Sequence, residues 1–298
     1  MATAGSEPLT ARAGKAAGAQ IARVLHTSFG NRSHGHPGIL CFHRIVEPET
    51  GNVPLNVAPA RFEQQLRELI HRGYRFISLR SLVEHVERRE EIPAKSVILT
   101  FDDGYASVYE RAWPVLRALG APASIFLASA FIDSPRPFPF DPWGVERSRR
   151  DSEAMWRPLS WTQCVEMADS DLVEFGTHTH THRNFRGKPA DFEDDLRTSI
   201  EEMERRLGRR PELFSFPFGG VKRGFAGSDL AAVARRLGLR CALTTEIELV
   251  DPAVSPFRWG RIEATDWDSG ATLAAKLEGW YAWMARGREI YRGIHHRR

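Results

Sequence analysis

The chain has 298 residues, 42% hydrophobic and 27% charged, enough to bury a large core and too apolar for a disordered chain. Its 41 Lys and Arg stand against 38 Asp and Glu, a net charge of +3, and no basic stripe interleaved with aromatics appears, so nucleic-acid binding is not expected. Cys41, Cys164 and Cys241 are too few and too far apart for a disulfide framework or a CxxC metal site. No run approaches the roughly 18 apolar residues of a spanning helix, and the start of the chain lacks the apolar segment of a secretory signal. The expectation is therefore a cytoplasmic protein. Residues 8–46 contain no Asp or Glu but carry Arg12, Lys15, Arg23, Arg32 and Arg44, which suggests a peripheral contact with anionic membrane through this N-terminal segment.

Residues 1–37 read as a lead-in, loose or helical. Residues 38–270 read as one domain, and 271–298 as a C-terminal helix with a basic tail. The first strand covers residues 38–42 and ends in His43-Arg44. Phe62, Leu66, Leu69 and Ile70 then form a helical stripe that Gly73 stops. Residues 75–79 are expected as strand, 81–90 as helix, 96–100 as buried strand, 106–119 as helix and 123–127 as strand. The stretch 131–159 is a loop too long for a simple connection, and its Trp143 and Trp156 are candidates for a substrate lid. Ser160 caps a short helix at 161–169, and a strand at 172–175 runs into three His within residues 177–182. Phe192, Leu196, Ile200, Met203 and Leu207 mark a helix ended by Gly208. Strand 213–216, helix 229–237, strand 241–244 and strand 261–264 follow. Leu273, Leu277, Trp280, Tyr281 and Met284 mark the last helix. Alternating short strands and helices imply parallel βα units, either a barrel or a doubly wound sheet, with the active site at the C-terminal strand ends.

Those strand ends carry the chemistry. Asp102 and Asp103 leave a buried strand together, and keeping both ionised requires a cation or strong donors. Alone, the Asp-Asp-Gly run reads equally as a helix-capping turn or as a site. The His run breaks the tie. Whether residues 177–182 are extended or helical, His178 and His182 can share a face, and two His with one carboxylate form a donor set for a catalytic divalent ion. Such an ion polarises a carbonyl and lowers the pKa of water. One Asp then serves as ligand and the other as general base, while an unligated His, with His43 first and His180 second, serves as general acid.

The run Thr100-Phe101-Asp102-Asp103-Gly104-Tyr105, the run from His178 to His182 and the run Phe214-Ser215-Phe216-Pro217-Phe218-Gly219 resemble the first three motifs of the polysaccharide deacetylases, the NodB-homology or carbohydrate esterase family 4 group. Phe42-His43-Arg44-Ile45 resembles the branch whose barrel opens on an aromatic-His strand. The resemblance covers residues 38–263. It implies an α/β fold, a single-domain distorted (β/α)7 barrel, and metal-dependent removal of N-acetyl groups from N-acetylhexosamine units of a glycan or glycan precursor of the exopolysaccharide or cell-envelope type.

Carried over by position, the resemblance makes Asp102 the catalytic base and Asp103, His178 and His182 the ligands of one divalent metal. Zinc comes first by ligand type, with cobalt, nickel, iron and manganese also compatible. It makes His43 the general acid and gives Phe218 the backbone N–H that binds the oxyanion. Tyr105 and Trp267 fall on the substrate side, Trp267 by a faint likeness to the fourth motif. There is one marked departure: the third motif usually begins with an Arg that orients the base, and this chain has Ser215 there. Arg261, at the end of a later strand, is the residue placed to replace it. The alternatives are an O-acetyl esterase using the same machinery and a catalytically inactive carbohydrate-binding homologue, the latter motivated by Ser215.

Overall fold

A computed structural model describes residues 35–47, 55–148 and 153–280. Tyr281, Met284, the basic tail and residues 8–34 of the segment expected to contact a membrane lie outside these residues, while Arg44 of that segment is described and buried. Among the described residues no helix is long and apolar enough to cross a membrane.

Strands β1 (Gly38–Phe42), β5 (Ser96–Phe101), β6 (Ala123–Leu127), β7 (Val173–Thr177), β8 (Leu213–Ser215), β9 (Cys241–Leu243) and β10 (Ile262–Glu263) form one parallel sheet. Their order is β10-β1-β5-β6-β7-β8-β9, and the short β4 (Arg75–Phe76) pairs with the start of β5. A separate parallel pair, β2 (Arg44–Ile45) and β3 (Asn56–Val57), extends the chain just past β1. Beyond the two edge strands, the Thr244 N–H donates to the Trp259 carbonyl and the Arg261 N–H to the Glu246 carbonyl, each at 2.8 Å. The sheet thus curls round on itself as the expected distorted barrel. GILCF, SVILTF and ASIFL are buried at every position, because helices cover one face and barrel-interior side chains fill the other.

The helices are α1 (Pro59–His71), α2 (Leu79–Arg88), α3 (Trp113–Leu119), α4 (Pro142–Arg147), α5 (Trp161–Ala168), α6 (Pro189–Leu207), α7 (Ser228–Arg236) and α8 (Gly270–Ala275). Four boundaries depart from the sequence expectation. The strand at 75–79 stops at Phe76, because Ser78 accepts the Ser81 N–H at 3.0 Å and caps α2. The half-buried Glu174 of β7 accepts the Leu79 and Arg80 N–H groups of the same helix at 2.8 and 3.1 Å. The helix at 106–119 begins as a wide turn over Val108–Ala112, since Pro114 has no N–H to return to the preceding turn. The long stretch after β6 contains α4, and its Trp156 is buried with Val46 and Met155 rather than standing as a lid. Finally, Leu273, Ala274 and Leu277 pack in the main core with Phe62 and Leu66, so packing shows no break at residue 270.

β7 runs close to its neighbours only because residue 176 is glycine. A Cβ there would stand 2.5 Å from the Phe126 ring and 2.7 Å from the Leu213 carbonyl oxygen. Gly176→Ala is expected to cost about 1–3 kcal/mol through overpacking. A lower thermal midpoint for this variant than for the parent chain is the measurement that checks it.

Candidate active site

β5 delivers both carboxylates. The Asp102 N–H still donates to the Phe42 carbonyl at 3.0 Å, continuing the β1 register. Asp103 and Gly104 then turn with φ of 71° and 93°, and a side chain at Gly104 would press on Leu127. The turn sends the two neighbouring side chains in different directions. Asp102 receives a bidentate pair from Arg261, Nη1 to Oδ1 and Nη2 to Oδ2, both at 2.7 Å. The same guanidinium holds the Thr244 carbonyl at 3.1 Å through Nε. Burial works to raise the Asp102 carboxyl, but Arg261, His178 and His43 outweigh it and hold the group below the usual carboxylate range. Ser215, at the start of the third motif, makes no side-chain hydrogen bond to Asp102 among the described residues, and Arg261 supplies the cation instead.

Asp103 has the opposite environment. Burial and the Asp102 charge push its carboxyl well up, and it faces imidazoles rather than a paired cation. The Nε2 atoms of His178 and His182 each lie 3.6 Å from Asp103 Oδ1. Burial lowers both imidazoles, so they are neutral and can donate lone pairs. His178 Nδ1 lies 2.7 Å from the Ser215 carbonyl, which therefore accepts its N–H and leaves Nε2 bare toward Asp103. Donor atoms around a tetrahedral zinc stand roughly 3.4 Å apart, so the observed spacing fits a divalent ion. A second group, Cys41, His43 and Asp102, also gathers donors within 4.8 Å. There both Asp102 oxygens already bind Arg261, and the first group is the better cation site.

The His turn depends on α6. Its Asp195, buried on the apolar face beside Phe192 and Leu196, accepts the His180 and Thr181 N–H groups at 2.7 and 3.1 Å and the Thr181 hydroxyl. This holds Thr179 and His182 at φ of 67° and 51° and folds the His178 and His182 rings together, 4.8 Å between centroids. His180 turns away to Ser129 at 3.0 Å and does not line the cavity, which removes it as an acid candidate.

A cavity of about 620 Å³ lies over these groups and is lined by His43, Tyr105, Phe218 and Trp267 among others. Burial pushes His43 down to about 4, so its ring is neutral at pH 7. Phe218 sits at φ 63° and is 41% exposed, with its ring 4.9 Å from that of His182. Its N–H makes no hydrogen bond among the described residues. Trp267 is 62% exposed at the rim. Sequence reading missed the wall opposite. Arg44, counted there among the basic residues of the N-terminal segment and as a neighbour of His43, is buried, donates to the Tyr105 hydroxyl at 2.7 Å and pairs with Asp141. Its guanidinium lies 4.3 Å above the Tyr105 ring and 5.0 Å from that of Trp143. This pinning sets Phe140 flat against His182, 3.8 Å between centroids.

A family model described as polysaccharide deacetylase matches residues 89–242, just over half of the chain. A poly-β-1,6-N-acetyl-D-glucosamine N-deacetylase of Escherichia coli K12 is 30% identical over 140 residues, 47% of this chain and 20% of that protein. The chain thus spans about a fifth of that relative's length. The protein of the same name from Staphylococcus aureus MRSA252 is 22% identical over 76% of this chain and 73% of its own. Among solved structures, IcaB from Ammonifex degensii matches with a TM-score of 0.67 at 23% identity, covering 83% of this chain and 97% of its own. The Streptococcus pyogenes deacetylase PplD matches with a TM-score of 0.67 at 22% identity, covering 81% and 98%. Both likenesses concern the fold.

Because Asp195 holds the turn that presents both imidazoles, Asp195→Asn is expected to weaken divalent-ion affinity by about 10–100-fold, the usual cost of losing an outer partner of metal ligands. Competition against a chromophoric chelator measures this directly.

Proposed function

The chain belongs to the polysaccharide deacetylase family, and from that premise we propose that it removes N-acetyl groups from N-acetylhexosamine units of an exopolysaccharide or cell-envelope glycan. The observation that carries the reading is the unequal treatment of two adjacent buried carboxylates. One is neutralised by Arg261 and left ionised as a base, the other is turned toward two neutral imidazoles. That division is what hydrolysis of an unactivated amide needs.

Asp103, His178 and His182 would hold the divalent ion, zinc first by donor type, and the ion supplies a Lewis acid that polarises the acetyl carbonyl and acidifies water. Asp102 accepts the proton of the attacking water, with Arg261 fixing the carboxylate plane. The Phe218 N–H donates to the oxygen that gains charge. His43 protonates the nitrogen as the C–N bond breaks. Since the ring is neutral at rest, the proton reaches it from Asp102, whose carboxylate lies within 4.8 Å. Trp267 offers an exposed aromatic face to the sugar. Arg261 on the base supports an active enzyme despite Ser215, against the inactive-homologue alternative.

Acetate release from poly-β-1,6-N-acetylglucosamine is expected, lost when metal is stripped and regained when zinc is restored. Release from O-acetylated glycans alone would overturn the amide reading. Asp102→Asn should lower kcat about 10²–10⁴-fold while zinc still binds in calorimetry. Arg261→Gln leaves the burial of Asp102 without its main counterweight, so the carboxyl rises. The acid limb of kcat/KM should then move to higher pH by about 1–3 pH units, which a pH–rate profile reads.

A further inference from the structure

The loops after β7 and β8 lie side by side, because those strands pair. Between residues 177 and 190, and again between 213 and 228, the chain has no Asp or Glu, yet these two stretches hold Arg183, Arg186, Lys188, Lys222 and Arg223. Two of the five point out from the site itself. The Phe218 ring, beside His182, packs on Phe225 at 4.9 Å, and the Arg186 and Arg223 guanidiniums lie 4.3 and 5.3 Å from the Phe225 ring. Arg223 lines the cavity. The Arg186 side chain donates only to neutral groups, the Asn184 amide oxygen at 3.1 Å and the Arg223 carbonyl at 3.3 Å. Neither guanidinium has a carboxylate partner among the described residues, in contrast to the exposed arginines of α6, which pair with Glu193 and Glu202. The 220–225 turn is closed by its own backbone, Phe225 N–H to Gly220 and Gly224 N–H to Val221 at 3.0 and 2.9 Å. It presents Arg223 in a defined place.

Resting on the deacetylase reading, we propose that Arg186 and Arg223 form an anion subsite next to the reacting sugar, so that the substrate is a glycan bearing a carboxylate or phosphate beside its N-acetylhexosamine. Planar guanidiniums on an aromatic support suit either oxyanion. A neutral N-acetylglucosamine polymer gains nothing from this rim, and each turnover adds an ammonium that the two cations repel. An anionic repeat offsets that charge and keeps the product's neighbours bindable.

The test is calorimetric binding to the full zinc-loaded chain carrying Asp102→Asn, so that nothing is consumed. The probes are neutral chitohexaose, a carboxylated hyaluronan hexasaccharide and an oligomer of N-acetylglucosamine 1-phosphate. At least one anionic oligomer should bind about tenfold more tightly than chitohexaose at low salt, roughly what one charge-assisted contact supplies, and the margin should shrink at 0.5 M salt as screening sets in, roughly by the Debye length. Which of the two gains the margin separates carboxylate from phosphate. The added pair R186Q/R223Q should erase it, and R223E should reverse it. Equal binding of all three probes, no binding of either anion, or a margin that survives R186Q/R223Q overturns the subsite. Failure of the parent chain to release acetate from any of the probes counts against the deacetylase reading and leaves the binding result standing.

Discussion

Two negative side chains next to each other in the sequence, both taken out of water at the end of β5, set the terms for the rest of this molecule. Asp102 is 3% exposed and Asp103 is 6% exposed. Leaving either uncompensated would cost several kcal/mol, of the order of the penalty for one unpaired buried ion. The fold answers with two different partners on two sides. β10 brings Arg261 to Asp102, and the turn after β7 brings neutral imidazoles to Asp103 and leaves its charge for a cation. The positive φ at Asp103 is what allows neighbouring side chains to have such separate fates.

The barrel supplies these positions, and the irregular parts make them accurate. Arg44, Tyr105 and Asp141 pin the insertion after β6 onto the mouth, and that insertion then lays Phe140 over the His182 imidazole. Asp195 does the corresponding work from α6. In each case a buried polar side chain fixes a stretch of backbone that has no ladder of its own to fix it.

Most of the barrel was legible from local pattern, because both-face burial writes itself as short apolar runs and helices write their inner stripe. The chemistry was legible where it sits in consecutive residues: the Asp pair and the His run. Long-range pairing was not. Arg261 could be placed at a strand end, but its grip on Asp102 depends on how the sheet curls. The role of Asp141 depends on how a long insertion folds back, for which the sequence carries no periodicity. Asp195 did leave a signal, an acid three residues after Phe192 on an otherwise apolar helical face, and a charge at such a position calls for a buried partner. The boundary shifts at Ser78 and Pro114 show capping and a missing N–H overriding periodicity.

The contact between Asp102 and Arg261 joins residues 159 apart in the chain. Chains emerge from the ribosome N-terminus first, so the strand bearing Asp102 is made long before the arginine that matches it. Until residue 261 has cleared the exit tunnel and closed the barrel, the nascent chain carries a half-built site in which Asp102 has neither its orientation nor its charge balance. Completion of the fold and completion of the site are therefore a single event.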